Sequence, residues 1–384
     1  MSGLYIHIPF CRKKCAYCDF VSFGGCEQDA FEQYFKALFR EIDLISPMLP
    51  KKEFETLFIG GGTPSLVPPS VMGRLLDTMA ECFSLDAGAE ISMEANPDSV
   101  DALRAAGFRA AGVNRVSLGV QALDDALLAA VGRVHDKRGA LKAFDALREA
   151  KFDNIGLDFM WALPGESLES WKAQLAEAVA LGPEHFSCYG LTLEEGTPLY
   201  LSRHALALPG ENESAAMYEE GGALLESAGY EQYEISNFAS PGRRCRHNEG
   251  YWLGREYLGV GPSAVSFLGG RRISQPADLD AWSTAVRENR EAGTVEELSF
   301  VERVEELVML RLRMSAGLDT EEYRRTTGRD FVADNRGLIE ELKWRGMARL
   351  EDGRFSLTRR GMLVSNAVIE QCFERIPQQP ETTA

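Results

Sequence analysis

The chain has 384 residues, 45% of them hydrophobic and 26% charged, which is ample material for a large core and the wrong balance for disorder or a disulfide scaffold. Its formal net charge of -17 repels a long polyanion, so no nucleic-acid partner is expected. No stretch is long and uncharged enough to span a bilayer, and the opening MSGLYIHIPF lacks the basic and apolar segments of a signal peptide, so a cytoplasmic protein with no stable membrane anchor is expected.

Taken in chain order, residues 1–240 alternate short apolar runs with amphipathic stretches. The runs LYIHI (4–8), TLFIG (56–60), EISMEA (90–95), RVSLGV (115–120), NIGLDFMWAL (154–163) and HFSCYGLTL (185–193) read as strands, with YEQYEISNF (230–238) a weaker candidate. Between them, Phe31, Tyr34, Phe35, Leu38, Ile42 and Ile45 recur at helical spacing over 27–46. Leu168, Trp171, Leu175 and Val179 do the same over 167–181. Ser167 and Asn212 are expected caps, and Gly107, Gly182 and Gly229 expected helix ends. Repeated strand and helix predict parallel strands with crossover helices, and six units are too few to close an eight-unit barrel. The expected fold class is therefore α/β, a partial, TIM-like (β/α)6 barrel whose carboxyl strand ends form a binding mouth.

Beyond residue 240 the pattern changes. Residues 241–295, with SPGRRCRHN (240–248) and LGVGPSAVSFLGGRR (258–272), read as connecting loops that cross or edge the mouth. Residues 296–375 read as a C-terminal helical and winged-helix-like module. It comprises the helix VERVEELVMLRLR, a second helix around 331–345, the hairpin ARLEDGRFSLT turning at Asp352 and Gly353, and a last helix from Thr358. Its mixed charges favour a lid or interaction module over a DNA reader. The tail 376–384, IPQQPETTA, is expected to be disordered.

The chemistry starts at PFCRKKCAYCDF, which sets Cys11, Cys15 and Cys18 on one tight loop after the first strand. Three soft thiolates suit three irons of a cubane cluster and leave a fourth iron open for a chelating small molecule. A zinc site completed by His7, or a cluster closed by Cys26, are the alternatives.

The C-x3-C-x2-C spacing, with Tyr17 just before the last cysteine, resembles the radical S-adenosylmethionine superfamily. That resemblance implies a [4Fe-4S] cluster on Cys11, Cys15 and Cys18, with S-adenosylmethionine chelating the open iron. Cluster reduction then splits the sulfonium into methionine and a deoxyadenosyl radical, chemistry that belongs to the cofactor. FIGGGTPS (58–65) is similar to the superfamily's glycine motif, which implies that backbone groups of Gly60, Gly61, Gly62 and Thr63 meet the methionine end. Glu94, Gln121, Arg133 and Asp158 fall at or near strand ends, and each alone reads equally well as a solvated loop residue. As a set, with Tyr5 and Tyr17, they resemble the cofactor-binding positions of the oxygen-independent coproporphyrinogen III oxidase-like family. Carboxylates suit ribose hydroxyls or an ammonium group, and a guanidinium suits a carboxylate.

Within that family two activities compete, decarboxylation of coproporphyrinogen III and haem delivery by HemW-like haem chaperones. The oxidases carry a further cysteine two positions after the third, where this chain has Phe20. They also carry a long N-terminal extension, whereas Cys11 stands almost at the start here. RCRHNEGYW (244–252) contains HNxxYW, the pattern associated with the haem-binding branch, which makes His247 the expected axial ligand and Cys245 a rival. Tyr251 and Trp252 are candidates to stack on the porphyrin. The resemblance thus implies haem as cargo and haem-accepting respiratory enzyme subunits as partners, reached by transient contact at the membrane face. A homodimer is an open possibility.

Overall fold

The computed structural model describes residues 2–25, 28–49, 53–290 and 292–379; Cys26, and with it the alternative in which it closes a cluster, lies outside them. Six strands occupy the expected positions: β1 Ser2–Ile8, β2 Glu53–Gly61, β3 Ser84–Ala95, β4 Arg115–Gln121, β5 Ile155–Trp161 and β6 His185–Gly190. They pair in that order, all parallel, with β1 and β2 in register from Gly3 opposite Thr56 to Ile8 opposite Gly61. Every residue of β4 is buried, as expected of a strand covered on both faces. Helices Gln28–Ile45, Pro69–Cys82, Ala102–Ala111, Lys137–Glu149 and Leu168–Ala180 make the crossovers, and Ser167 caps the last by accepting from Ser170 N–H. The core cluster joins inward residues such as Leu4, Leu57, Met93 and Leu118 to helix residues such as Leu38, Leu75 and Trp171.

The barrel stays open, but both edges are longer than the sequence pattern suggests. Against β1 lies a seventh parallel strand, β7 Tyr257–Val260, followed by antiparallel β8 Val265–Leu268, β9 Arg271–Ser274 and β10 Thr294–Glu297. Residues 258–272 are therefore not loops across the mouth. They extend the sheet, and their glycines turn the hairpins, with Gly269 and Gly270 at φ 59° and 75°. On the far edge, Asn237–Ala239 pairs antiparallel with β6, and Glu231–Gln232 pairs antiparallel with Asn237–Ala239.

Three smaller expectations are also corrected. Gly107 lies inside helix Ala102–Ala111, which ends at Gly112 with φ 110°. Gly107 is needed for packing, because a Cβ there would come within 2.6 Å of Pro69 Cβ. Asn212 caps nothing, since its helix starts at Glu211 behind Gly210. Ile376, assigned to a disordered tail, is buried in the second core, while residues 380–384 lie outside the described set.

That second core runs from Val304 to Ile376 and draws in Tyr218 from the barrel side. Its helix Phe300–Leu312 starts with a full capping box, Ser299 with Glu302. The hairpin Ala348–Glu351 and Arg354–Leu357 turns as expected at Asp352 (φ 50°) and Gly353 (φ 72°), and Leu318–Asp319 adds a third strand. The last helix is broken into Arg359–Met362 and Ser365–Phe373.

Candidate functional site

The cysteine loop leaves β1 at the mouth and folds back on itself, Phe10–Cys11 pairing with Phe23–Gly24. Ala16 N–H donates to Val131 O and Leu199 N–H to Ala16 O, which ties the loop to later segments of the barrel. Cys11, Cys15 and Cys18 are free and half-buried. Thr63 Oγ1 donates to Cys11 Sγ and Arg133 Nη1 to Cys15 Sγ, each at 3.4 Å. Three thiols on one loop, two of them already met by donors, fit an iron-sulfur cluster. His7 does not complete a zinc site. Its Nε2–H donates to Val21 O, leaving Nδ1 to accept from the Tyr5 hydroxyl, both at 2.9 Å.

The glycine motif follows β2. Gly61 sits at φ 113°, and a Cβ there would lie 2.7 Å from the His7 ring; a Cβ on Gly62 would lie 2.7 Å from Phe10 O. Glycine is thus demanded by the close approach of β1 and its loop. Of the backbone groups expected to meet a ligand, the N–H groups of Gly61, Gly62 and Thr63 are already used. Gly61 N–H donates to Glu94, Gly62 N–H to Ile8 O and Thr63 N–H to Phe10 O, so carbonyl oxygens are what the turn has left to offer.

Around this turn the polar side chains converge. Over the Cα of Gly119 in β4 stand Gln121 Nε2, Asn96 Oδ1 and Arg133 Nη2, within 3.0, 3.1 and 3.3 Å of where a Cβ would lie. Gln121 reaches that position from a β-bulge at φ 65°, a left-handed conformation that costs a non-glycine residue energy and marks functional sites. Arg133 donates to Asn96 Oδ1 and Gly119 O, while its buried Nε has no protein partner. Glu94 is half-buried and accepts from Gly61 N–H, and burial, with Asp158 adding to it, pushes its carboxyl up to about 8. Asp158 accepts from Ser117 Oγ at 2.9 Å and is likewise raised by burial. Tyr5 lies beside Glu94, and Tyr17 beside Arg133, Cys15 and Cys18; burial raises both phenols. A carboxyl held partly neutral and a guanidinium with an unmet donor fit a zwitterionic ligand carrying an ammonium and a carboxylate. Asn96 and Ser117 were not singled out from sequence. Asn96 follows Glu94 by two in MEANP, and that spacing was the available signal.

His247 is elsewhere. It belongs to helix Arg246–Trp252, which packs under the amino ends of β1 and β2: a Cβ on Gly3 would lie 3.0 Å from its ring, and Phe58 stacks on it at 5.1 Å. Thr56 and Gly61 are five residues apart along β2, so the mouth lies roughly 17 Å above at about 3.3 Å per residue. An axial ligand needs a free ring nitrogen, and here both are taken. His247 is buried, its Nδ1 paired with Thr56 Oγ1 at 2.8 Å and its Nε2 with the Tyr251 hydroxyl at 2.9 Å. Burial, with Arg115 adding to it, pushes its imidazole down to about 3. Cys245 is no rival thiolate, since burial pushes its thiol up to about 12.

Both ends of this helix are held by charge. Glu90 accepts the N–H groups of Arg246 and His247 at 3.0 and 3.2 Å. At the other end Arg311, from the second core's first helix, donates to the carbonyls of Trp252 and Leu253 and is paired with Glu322. Arg115, fully buried, faces Cys245 and Glu90 with Nε and Nη1 unpartnered. A narrow cleft beside the helix, lined by Gly3, Thr56, His247, Tyr251, Arg255 and Tyr257, has a cavity volume of about 20 Å³, room for a water molecule and not for a large ligand.

The Radical SAM superfamily profile matches residues 5–177 and the HemN C-terminal domain profile residues 298–364. Over 96% of its length the chain is 33% identical to "Heme chaperone HemW" of Bacillus subtilis, covering 98% of that protein. It is 37% identical to the Synechocystis protein of the same name, over 83% of this chain and 79% of the relative. In fold it is similar to the solved coproporphyrinogen III oxidase HemN of Escherichia coli, with a TM-score of 0.84 over 97% of this chain and 89% of that one at 24% identity. The chain belongs to the HemW family of the radical S-adenosylmethionine superfamily.

Proposed function

We propose that the protein is a haem chaperone that binds haem and passes it to haem-accepting subunits of respiratory enzymes. The observation that carries this reading is the end-to-end similarity to proteins named haem chaperones, at 33% identity over 96% of the chain. Phe20 in place of a fourth cysteine supports it against the oxidase reading. Among the described residues no helix is long and apolar enough to cross a membrane, so delivery to a membrane enzyme rests on transient contact in the cytoplasm, by a monomer or a homodimer.

In this reading Cys11, Cys15 and Cys18 hold the [4Fe-4S] cluster, Thr63 and Arg133 support two of the thiolates, and the mouth residues bind S-adenosylmethionine. When bound, the cluster and S-adenosylmethionine supply one-electron chemistry. The Arg133 guanidinium meets a carboxylate, Glu94 gives up its proton to meet an ammonium group, and Tyr5 buttresses His7 beneath the glycine turn. His247 ligates haem iron only after helix Arg246–Trp252 moves off the floor. The exchange gives up its bonds to Thr56 and Tyr251, at about 1 kcal/mol net each, for an iron-nitrogen bond.

The test is anaerobic incubation of cluster-loaded protein with S-adenosylmethionine, a reductant and coproporphyrinogen III, beside a haem-transfer assay to an apo-cytochrome. Haem transfer without protoporphyrinogen formation is expected. Protoporphyrinogen formed in proportion to deoxyadenosine overturns the proposal in favour of the oxidase.

A further inference from the structure

A cavity of about 420 Å³ lies on the outer face of the barrel, between helices Gln28–Ile45 and Pro69–Cys82. It falls among pockets that enclose small organic ligands, about 300–1,000 Å³. Its floor is a stripe on the first helix. Phe31, Phe35 and Phe39 recur four residues apart and so face one way, and their ring centres follow one another at 4.7 and 6.2 Å. Phe35 is buried, whereas Phe31, Phe39 and Val71 of the second helix are half-buried. Packing on the core takes one side of these groups and leaves the other to the cavity. Two exposed cations, Lys36 and Arg74, line it as well, the Arg74 guanidinium lying 4.2 Å from the Phe39 ring centre. Neither is in an ion pair among the described residues, in a chain whose net charge is -17. Glu32, one turn before Lys36, is the one acid among the described lining residues. Histidine, cysteine and methionine are absent from that lining, so a haem iron would find no ligand here.

We propose that this groove binds a single-chain amphipathic carboxylate, a fatty acid, with its alkyl chain laid along Phe31, Phe35 and Phe39 and its carboxylate between Lys36 and Arg74. The apolar floor supplies affinity, and the two cations fix which end of the ligand goes where. Eight helical residues from Phe31 to Phe39 span about 12 Å, which an extended chain of about ten bonds covers. The site lies apart from the cysteines, the mouth and the floor helix, and it does not rest on the haem reading.

The experiment is anaerobic isothermal titration of the full, cluster-loaded chain with octanoate, decanoate, dodecanoate and tetradecanoate. One site is expected, its affinity rising severalfold for each added pair of buried methylenes and levelling near dodecanoate, where the chain outruns the stripe. The Lys36→Glu/Arg74→Glu variant changes exposed side chains and should keep the wild-type melting temperature. It should bind dodecanoate at least about tenfold more weakly, since each charged hydrogen bond lost is worth that much, and should gain a preference for dodecyltrimethylammonium. Val71→Trp fills the groove and should abolish binding of both. Haem titration of the same variants should match wild type. No saturable binding to wild type overturns the proposal, and so does equal dodecanoate affinity in wild type and both variants. A Soret shift lost in Lys36→Glu/Arg74→Glu overturns it by assigning the cations to haem propionates. A dimer that sediments in wild type and is broken by Val71→Trp, with no dodecanoate bound, overturns it by assigning the groove to a second copy of the chain.

Discussion

The two ends of the barrel are built on opposite terms. At the mouth the thiols are half-exposed, Gln121 is strained, Glu94 is held partly protonated, and Arg133 Nε lacks a partner among the described residues. On the floor His247 and Glu90 are paired with neighbours, and the helix that carries His247 is pinned at both ends. The mouth can take a ligand by adding contacts, and the floor can take one only by giving contacts up. Two motifs that look alike as strings of polar residues therefore stand in different energetic positions, one poised for binding and one latched.

The sharpest break of this contrast is at the mouth. Replacing Cys15 by Ala removes one corner of the cluster and should abolish iron and sulfide retention after anaerobic reconstitution, with the fold intact by circular dichroism. Full iron content in that variant would remove the cysteine assignment. The largest effect on the floor should come from Glu90→Ala, which removes the acceptor of two helix N–H groups and one of the carboxylates near Arg115. Leaving a buried donor unpaired costs roughly 1–3 kcal/mol, to be read from denaturant midpoints, with hydrogen exchange rising first in residues 246–252.

A smaller effect separates the ends by pH. His247 is held near 3 in the folded chain against an ordinary value near 6.5, so its contribution is present above about pH 6.5 and is lost as pH falls toward 3. Each unit in that window should cost about 1.4 kcal/mol per such histidine, and His247→Gln should flatten the slope by that amount. At the mouth the shift is upward and acts on binding rather than on stability. Glu94 is raised to about 8, so it is largely protonated at pH 7 and must lose that proton to meet a cation. Affinity for S-adenosylmethionine should rise by up to tenfold per unit from pH 6 toward 8, and Glu94→Gln should abolish the rise. A flat profile in wild type would place the ligand's ammonium group elsewhere.

The barrel strands were legible because parallel strands covered on both faces read as apolar runs, and β1 to β6 fall where those runs are. β7 to β9 were not, because they mix half-exposed residues with the glycines of their own turns. At the site, Cys11, Cys15, Cys18 and Gly61–Gly62 were visible through spacing. Asn96, Glu90 and Arg115 were not, because each acts on a residue far along the chain: Asn96 on Arg133, Glu90 on Arg246 and His247, Arg115 on Cys245. Spacing identified HNxxYW as a motif, but it carries no information about which end of a barrel a later segment closes.

The measurement that tests the account most directly is an anaerobic haem titration of wild type and His247→Ala, following the Soret band and hydrogen exchange over residues 246–252 together. The account predicts saturable binding in wild type, a Soret shift that weakens in the variant, and loss of protection in the helix as haem binds. No saturable binding would contradict the chaperone reading. An unchanged Soret shift in the variant, with the helix fully protected, would leave His247 as a structural residue of the floor.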